Sequence, residues 1–484
     1  MTISNRRSLE QFAAWIVATG RHVPYRLFDE AERTLSGRQE RSAAERQVLA
    51  DKLERWRYQL LSQGAVTSDP TARDLAESLD LAANELAQRP PRAPRCVRRA
   101  LGFLAEPSTH CRQPREPELT EFKASLDVDL DELIRRAADC TARYFSEPSG
   151  GRPVCSASHR SIVLYAPLYV SNFCINHCTY CAFRYPHKIQ RVHLDRDEVL
   201  RQARLLGEQG LRHLLLVAGD FPKLTSLEFF VQIVKDLCDE GFSIALEIAA
   251  QSTAAYARLV EAGACGVTLY QETYDEQLYA QYHPRGGKSR FDWRLEALDR
   301  AAEAGMSRLG LGVLLGLGDP AEDVLAMIQH GQYLRARFPD VALAFSLPRI
   351  HKAPDGFFSP YRVEDETFVR FYCLLRLAFP DAQLVLSTRE HVDLRNRLAK
   401  ICITQMSAGS CTAPGGYGAD RADQDRRQQF AVADHRTPAE VAQWLRDAGL
   451  EVSWEIAAGA EAQSCSAASQ FSPTDGRVKG TSTE

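Results

Sequence analysis

From residue 162 to residue 449, apolar runs of strand length alternate with amphipathic runs of helix length, and few folds accept that alternation. The strand-like runs are 162–170, 213–218, 244–250, 267–271, 309–315, 343–347, 384–387 and 401–406. Helical patterns such as 197–210, 253–263, 291–305 and 438–449 follow them. These four close on Gly210, Gly263, Gly305 and Gly449, the residue that a left-handed helix C-cap favours. Eight strands in alternation with helices predict a parallel α/β architecture, and the count matches a complete (β/α)8 TIM-type barrel. An open doubly wound sheet has the same periodicity, so closure is beyond what the pattern establishes. In both folds, functional side chains belong at the C-terminal ends of the strands.

The flanks read differently. Residues 1–90 carry helical stripes (Leu9, Phe12, Ala13 and Ile16, then Leu49, Leu53, Trp56 and Leu60) and are expected to be a helical extension. A Pro/Arg-rich linker is expected over 91–117, the barrel over 118–456, and a disordered Ser/Ala/Gly/Thr-rich tail over 457–484. A net charge of −4 over 484 residues argues against nucleic-acid or anionic-membrane partners. No apolar run reaches transmembrane length and no secretory signal pattern opens the chain. Of the 13 cysteines only three cluster; Cys238, Cys265, Cys373 and Cys402 sit singly in apolar patterns and read as buried thiols, which suits a reducing cytoplasm.

The three that cluster are Cys174, Cys178 and Cys181, in a CxxxCxxC loop directly after the first strand. Iron–sulfur clusters of this kind usually take four cysteines, so three leave one iron open to a non-protein ligand. An open position separates a catalytic metal site from a closed structural one. The alternative is a Cys3His zinc site that recruits His177 or His187, but the second cysteine pair of a zinc knot is missing.

The other strands also end in polar residues. The second gives Asp220, the third Glu247 and Gln251, and the fourth Gln271 and Glu272. The fifth is glycine-rich from Gly310 to Gly318, which would let a ligand approach the backbone. The sixth ends at Arg349, the seventh at Ser387-Thr-Arg-Glu390, and the eighth at Ser407-Ala-Gly-Ser410. Arg349, after a proline, suits bidentate capture of a carboxylate, or else a salt bridge to Glu272 or Glu390. Asp220 and Glu272 can accept from ribose hydroxyls or an ammonium, or pair with Arg389.

Several words of the sequence carry a resemblance. The cysteine loop with Tyr180 before its last cysteine, VTLYQETYDEQLYAQYHP, RLGLGVLLGL, LPR, LVLSTRE and TQMSAGS together resemble the aromatic amino-acid lyases among the radical S-adenosylmethionine (SAM) enzymes. The likeness covers roughly 120–455. It implies that Cys174, Cys178 and Cys181 ligate a 4Fe-4S cluster whose open iron takes SAM, which is cleaved to a 5′-deoxyadenosyl radical. It places Tyr180 at the adenine, Asp220, Glu247, Gln271 and Glu272 around the rest of SAM, and Arg349, Glu272 and Ser387 at the substrate, with Arg349 on its carboxylate. The implied reaction cleaves the Cα–Cβ bond of tyrosine to dehydroglycine (2-iminoacetate) and p-cresol, as in thiamine biosynthesis. Implied partners are an electron donor such as flavodoxin or ferredoxin and a downstream enzyme that accepts dehydroglycine. The hydrogenase-maturation branch carries a second C-terminal cysteine cluster; here Cys465 stands alone in the tail, so carbon monoxide and cyanide chemistry is not expected. Ile248-Ala-Ala-Gln251 nonetheless looks closer to that branch, and Asp220 stands where Glu is more usual. An alternative substrate is therefore tryptophan or another amino acid in a natural-product or metal-cofactor pathway. A non-catalytic zinc-binding barrel with a docking N-terminus is the alternative of another class.

Overall fold

The computed structural model describes residues 25–35, 37, 39–62, 79, 82–83, 86–87, 116–146, 160–351, 353 and 357–456. The stripe Leu9, Phe12, Ala13 and Ile16, the expected linker up to residue 115 and the tail 457–484 lie outside them. Eight parallel strands form the barrel: β1 Ser161–Ser171, β2 His213–Ala218, β3 Ser243–Glu247, β4 Ala264–Thr268, β5 Arg308–Gly312, β6 Ala342–Ser346, β7 Gln383–Leu386 and β8 Gln405–Ser407. They pair in chain order, and β1 meets both β2 and β8. That pairing closes the ring and excludes the open sheet.

β1 is buried along most of its length, as a strand with side chains on both sheet faces inside the protein requires. One side feeds the layer between strands and helices; the other sends Tyr165, Tyr169, Leu215, Val217 and Ala245 into a separate interior cluster. Helix starts are set by side-chain caps, among them Asp195, Ser226, Ser252, Asp319 and Thr437, each accepting from a backbone N–H of the first turn. Gly210, Gly263, Gly305 and Gly449 all have positive φ, as the helix ends demand.

Boundaries shifted where an apolar run spans two elements. The expected strand 401–406 begins inside the helix Val392–Ile401, because Ile401 continues the buried face of Leu394 and Leu398; β8 itself starts at Gln405. The expected helix 291–305 is two helices, Phe291–Leu295 and Ala297–Glu303, joined at Glu296. A ninth strand, β9 Glu451–Ser453, pairs with Ser161–Val163; three residues are too few to show a period. Cys373 and Cys402 are buried, but Cys238 and Cys265 are only partly so. No helix among the described residues is long and apolar enough to cross a membrane.

The extension is part of this body. Helix Ala43–Ser62 buries Leu49 and Leu53 and leaves Trp56 half-buried. Its Asp51 carboxylate accepts from the Ala254 N–H (3.1 Å), and its Arg57 pairs with buried Glu296 (3.3 Å). Both contacts fall on segments that follow β3 and β4, so the extension braces the rim where strand-end residues gather.

Candidate active site

The cysteine loop is shaped by polar residues around it. Asn172 donates to the carbonyls of Gln190 and Arg427 and accepts from the Val192 N–H. Arg191 donates to the carbonyls of Asn172, Phe183, Arg184 and His187. Asn176 ties the loop to β2 through the Asp220 carboxylate (3.1 Å) and accepts from the Lys288 N–H (2.9 Å). The loop therefore needs no regular secondary structure of its own: side chains take several of its carbonyls, and its amides reach backbone carbonyls such as those of Asp220, Tyr282 and Arg285.

Cys178 and Cys181 line a cavity of about 280 Å³ at the C-terminal mouth of the barrel, together with Tyr180, Glu247, Glu272, Arg349 and Ser387. Cys174 lies off that cavity and is half-buried. Asp220 and Gln271 also stay outside it: Asp220 faces the loop through Asn176, and Gln271 is buried with its Nε2 lacking a hydrogen-bond partner.

The three thiols feel one another. Burial, opposed by Lys288 and aided by Cys181 and Cys174, pushes Cys178 up to about 12. A metal that bound these thiols would displace their protons to solvent or a base. The Asn176 N–H points at Cys174 Sγ (3.4 Å) and the Gln429 amide at Cys181 Sγ (3.6 Å), contacts that suit thiolate sulfur. Among the described residues no three His, Cys, Asp or Glu side chains gather on one point as a single metal ion would need. A cubane would take each thiolate on a different iron, and Cys174, Cys178 and Cys181 stand within eight residues on one loop.

Glu272 is the one described non-glycine residue with positive φ, at 74°. Such a backbone costs about 1–3 kcal/mol and persists only where its surroundings hold it. Here its carbonyl accepts from the Leu314 N–H, and its carboxylate accepts from Lys288 Nζ (2.6 Å) with Arg294 at 3.7 Å. Lys288 also lies 5.7 Å above the Tyr180 ring, and the Tyr180 hydroxyl bonds His283 (2.8 Å).

Arg349 and Arg389 divide two roles that the sequence left merged. Arg349 is buried and its fork is filled. Nε and Nη2 donate to the two oxygens of Glu390, Nη1 to the Val363 carbonyl (2.8 Å), and Nη2 also to Asp365 (2.8 Å). The salt bridge to Glu390 is thus formed, and the one to Glu272 is not. Arg389 also lies on the cavity wall, with its guanidinium 3.4 Å above the Phe430 ring. Its Nη1 donates a long hydrogen bond to the Arg349 carbonyl (3.5 Å). Neither Glu272 nor Asp220 pairs with it. Sequence reading offered the Glu390 bridge as an alternative to carboxylate capture by Arg349 and left the choice open, because the two arginines differ only in which neighbour each reaches. The adjacent Glu390 was the available signal.

The fifth-strand glycines also serve neighbours. A Cβ on Gly310 would meet Thr268 Oγ1 at 2.5 Å, and one on Gly312 would meet the Tyr270 ring at 2.1 Å. Gly312 therefore makes room for Tyr270, which lines the cavity, and not for a ligand at the backbone.

Glu247 faces the cavity with no ion pair. Burial, aided by Glu272, raises it to about 7, against Arg389, Lys288 and Arg294. Below about 4.5 the carboxyl is protonated folded and unfolded, so it costs nothing. As pH rises to about 7 the unfolded chain ionises first and stability falls; above that the full penalty applies. Glu247→Gln apoprotein should therefore gain stability over the parent from pH 5 to 8 by an amount on the order of 2–3 kcal/mol, with no difference near pH 4. Urea denaturation of both proteins across that range checks it.

A model of the Radical SAM superfamily matches residues 168–330, and one of the Biotin and Thiamin Synthesis associated domain matches 346–451. Over 327 residues the chain is 33% identical to 2-iminoacetate synthase of Escherichia coli (strain K12), covering 67% of this chain and 82% of that protein. The corresponding Salmonella typhimurium 2-iminoacetate synthase is 33% identical over 332 residues, 68% of this chain and 87% of its own. The FeFe-hydrogenase maturase HydG from Carboxydothermus hydrogenoformans superposes with a TM-score of 0.62 at 29% identity, over 86% of each chain.

Proposed function

We propose, for a chain that belongs to the radical SAM superfamily and is a carbon–carbon lyase of that group, that the substrate is tyrosine and the products are dehydroglycine and p-cresol. Membership brings a 4Fe-4S cluster and SAM, which when bound supply a 5′-deoxyadenosyl radical. Cys174, Cys178 and Cys181 would hold the cluster. Tyr180, Glu247, Glu272 and Lys288 form the neighbouring wall, where SAM would be held. Asp220 and Gln271 lie behind that wall and would act through Asn176 and the β4 end.

The observation that carries the substrate reading is the cavity-facing Arg389. A guanidinium stacked on Phe430, without a carboxylate partner among the described residues, is placed to take an α-carboxylate, beside the Ser387 hydroxyl. Tyr165, Tyr169 and Tyr270 give the cavity an aromatic wall against which a phenol ring can pack. Arg349 would then support the site from behind by fixing Glu390, the residue that follows Arg389. The kinship with 2-iminoacetate synthases favours the same assignment.

Anaerobically reconstituted enzyme with SAM, reductant and tyrosine should release p-cresol and 5′-deoxyadenosine together. Deoxyadenosine without p-cresol rejects tyrosine and keeps the radical chemistry. Arg389→Ala should raise the tyrosine KM about 10- to 100-fold, the equivalent of about 1.5–3 kcal/mol for a lost charge-assisted bond. A KM unchanged in that variant removes Arg389 from substrate binding.

A further inference from the structure

The end of the barrel opposite the cysteine loop is polar inside, where branched apolar side chains ordinarily fill a (β/α)8 barrel. His213 opens β2, Arg308 opens β5 and Gln405 opens β8. With Gly266, Thr268 and Gly310 they line an interior cavity of about 30 Å³. The space is small. A water needs about 10–15 Å³ of such volume, so one or two water-sized guests fill it. Gly266 makes room for the arginine: a Cβ there would meet Arg308 Cβ at 3.2 Å and Cδ at 3.6 Å. No Asp or Glu stands in the lining.

The charge of Arg308 has no answer within the protein. Among the described residues it makes no ion pair and no side-chain hydrogen bond, and its Nη1 is buried without a partner. Other buried arginines of this chain are served differently. Arg395 has Asp434, Arg349 has Glu390 and Arg57 has Glu296, while Arg376 donates to four backbone carbonyls. The nearby imidazole adds no charge: burial, with Arg308 beside it, pushes His213 down to about 3, and its Nδ1 donates to the Ser243 carbonyl (3.2 Å). A guanidinium keeps its proton even where burial lowers its pKa, as it does here. Taking such a cation out of water without a counter-charge is costly. A water at Nη1 would satisfy the hydrogen bond and leave the charge uncompensated. The rest of Arg308 is only partly buried, which gives an ion a way in from the base of the barrel.

We infer that this cavity binds one compact monovalent anion of the size of chloride, held by the Arg308 guanidinium with the buried Gln405 side chain beside it. The volume excludes amino acids and nucleotides, so the site is distinct from the one that takes substrate. The two are nonetheless neighbours. Tyr165, Leu215, Tyr270 and Ser346 line both cavities. An ion at Arg308 therefore offsets a buried charge and also props, from below, the two tyrosine rings that form part of the substrate cavity's wall. This site stands apart from the radical chemistry, and its test needs no turnover.

The test uses the full chain, with sodium chloride as the probe and sodium gluconate, whose anion is too large for the cavity, as the reference. Urea unfolding at a fixed ionic strength of ~0.15 M should show a folding equilibrium constant about fivefold or more higher in chloride, because an ion that binds only the folded state stabilises it as 1 + [L]/Kd. Arg308→Met keeps the apolar stem and drops the charge, and its stability should differ by less than about twofold between the two salts. Crystals of the parent protein soaked in bromide should carry an anomalous peak within hydrogen-bond distance of Arg308 Nη1. That measurement needs no variant, so it decides the matter even where Arg308→Met does not fold. Equal stability of the parent protein in the two salts overturns the inference. So does a chloride effect of the same size in Arg308→Met, which would make it a general effect of salt, and so does a cavity that holds only water after the bromide soak.

Discussion

Replacing Cys178 with alanine should abolish the visible sulfur-to-iron charge-transfer absorbance of the reconstituted protein and all SAM cleavage with it. Cys178 is the most buried of the three thiols, lines the cavity, and has Lys288 beside it. A cluster held by three cysteines and left with two would lose the ligand of one iron. The fold should survive: the loop is held by Asn172, Asn176 and Arg191, none of which bonds the Cys178 sulfur. Iron and sulfide analysis beside circular dichroism separates the two effects. A variant that keeps full iron, sulfide and absorbance would remove Cys178 from the ligand set.

Arg349→Ala should unfold at markedly lower denaturant, by about 3–5 kcal/mol, the usual cost of stripping one partner from a buried ion pair. Glu390 is 1% exposed and would keep only His351 (3.1 Å), a half-open side chain, as a charge partner. In the intact protein burial alone would raise the Glu390 carboxyl, and the bonds from His351 and Arg349 bring it below its usual value. The variant should accordingly lose stability most above the carboxylate range, where Glu390 is charged, and less in acid. Arg349→Lys keeps the charge but not the fork, and should recover part of the loss. Urea curves at two pH values measure this. Unchanged stability with a raised tyrosine KM would return Arg349 to the substrate carboxylate and displace Arg389.

That exchange of arginines shows where sequence reading stops. LPR and STRE stand at successive strand ends, and each presents an arginine to the same rim. Which one is spent on the fold depends on a third residue, Glu390, and on Phe368 and Val363 brought in from the following helix and loop. None of those distances is written in the local pattern. The same holds for Gly312, whose missing Cβ answers to Tyr270 on the neighbouring strand. Gln429 likewise reaches Cys181 Sγ across 248 residues, and its side chain also takes the Tyr169 hydroxyl (2.7 Å).

The sequence by itself determined the class of fold, the eight strands and the glycines that end the helices, because period, capping and burial are local and repeat along the chain. It also determined the cysteine loop, since Cys174, Cys178 and Cys181 lie within eight residues. Tertiary structure decided the rest. Pairing of β1 with β8 closed the barrel, and helix Ala43–Ser62 turned out to brace its rim. Three-dimensional contacts left Arg389 on the cavity and gave Arg349 to Glu390. Those outcomes depend on contacts between residues far apart in the chain, and such contacts exist only once the barrel has closed.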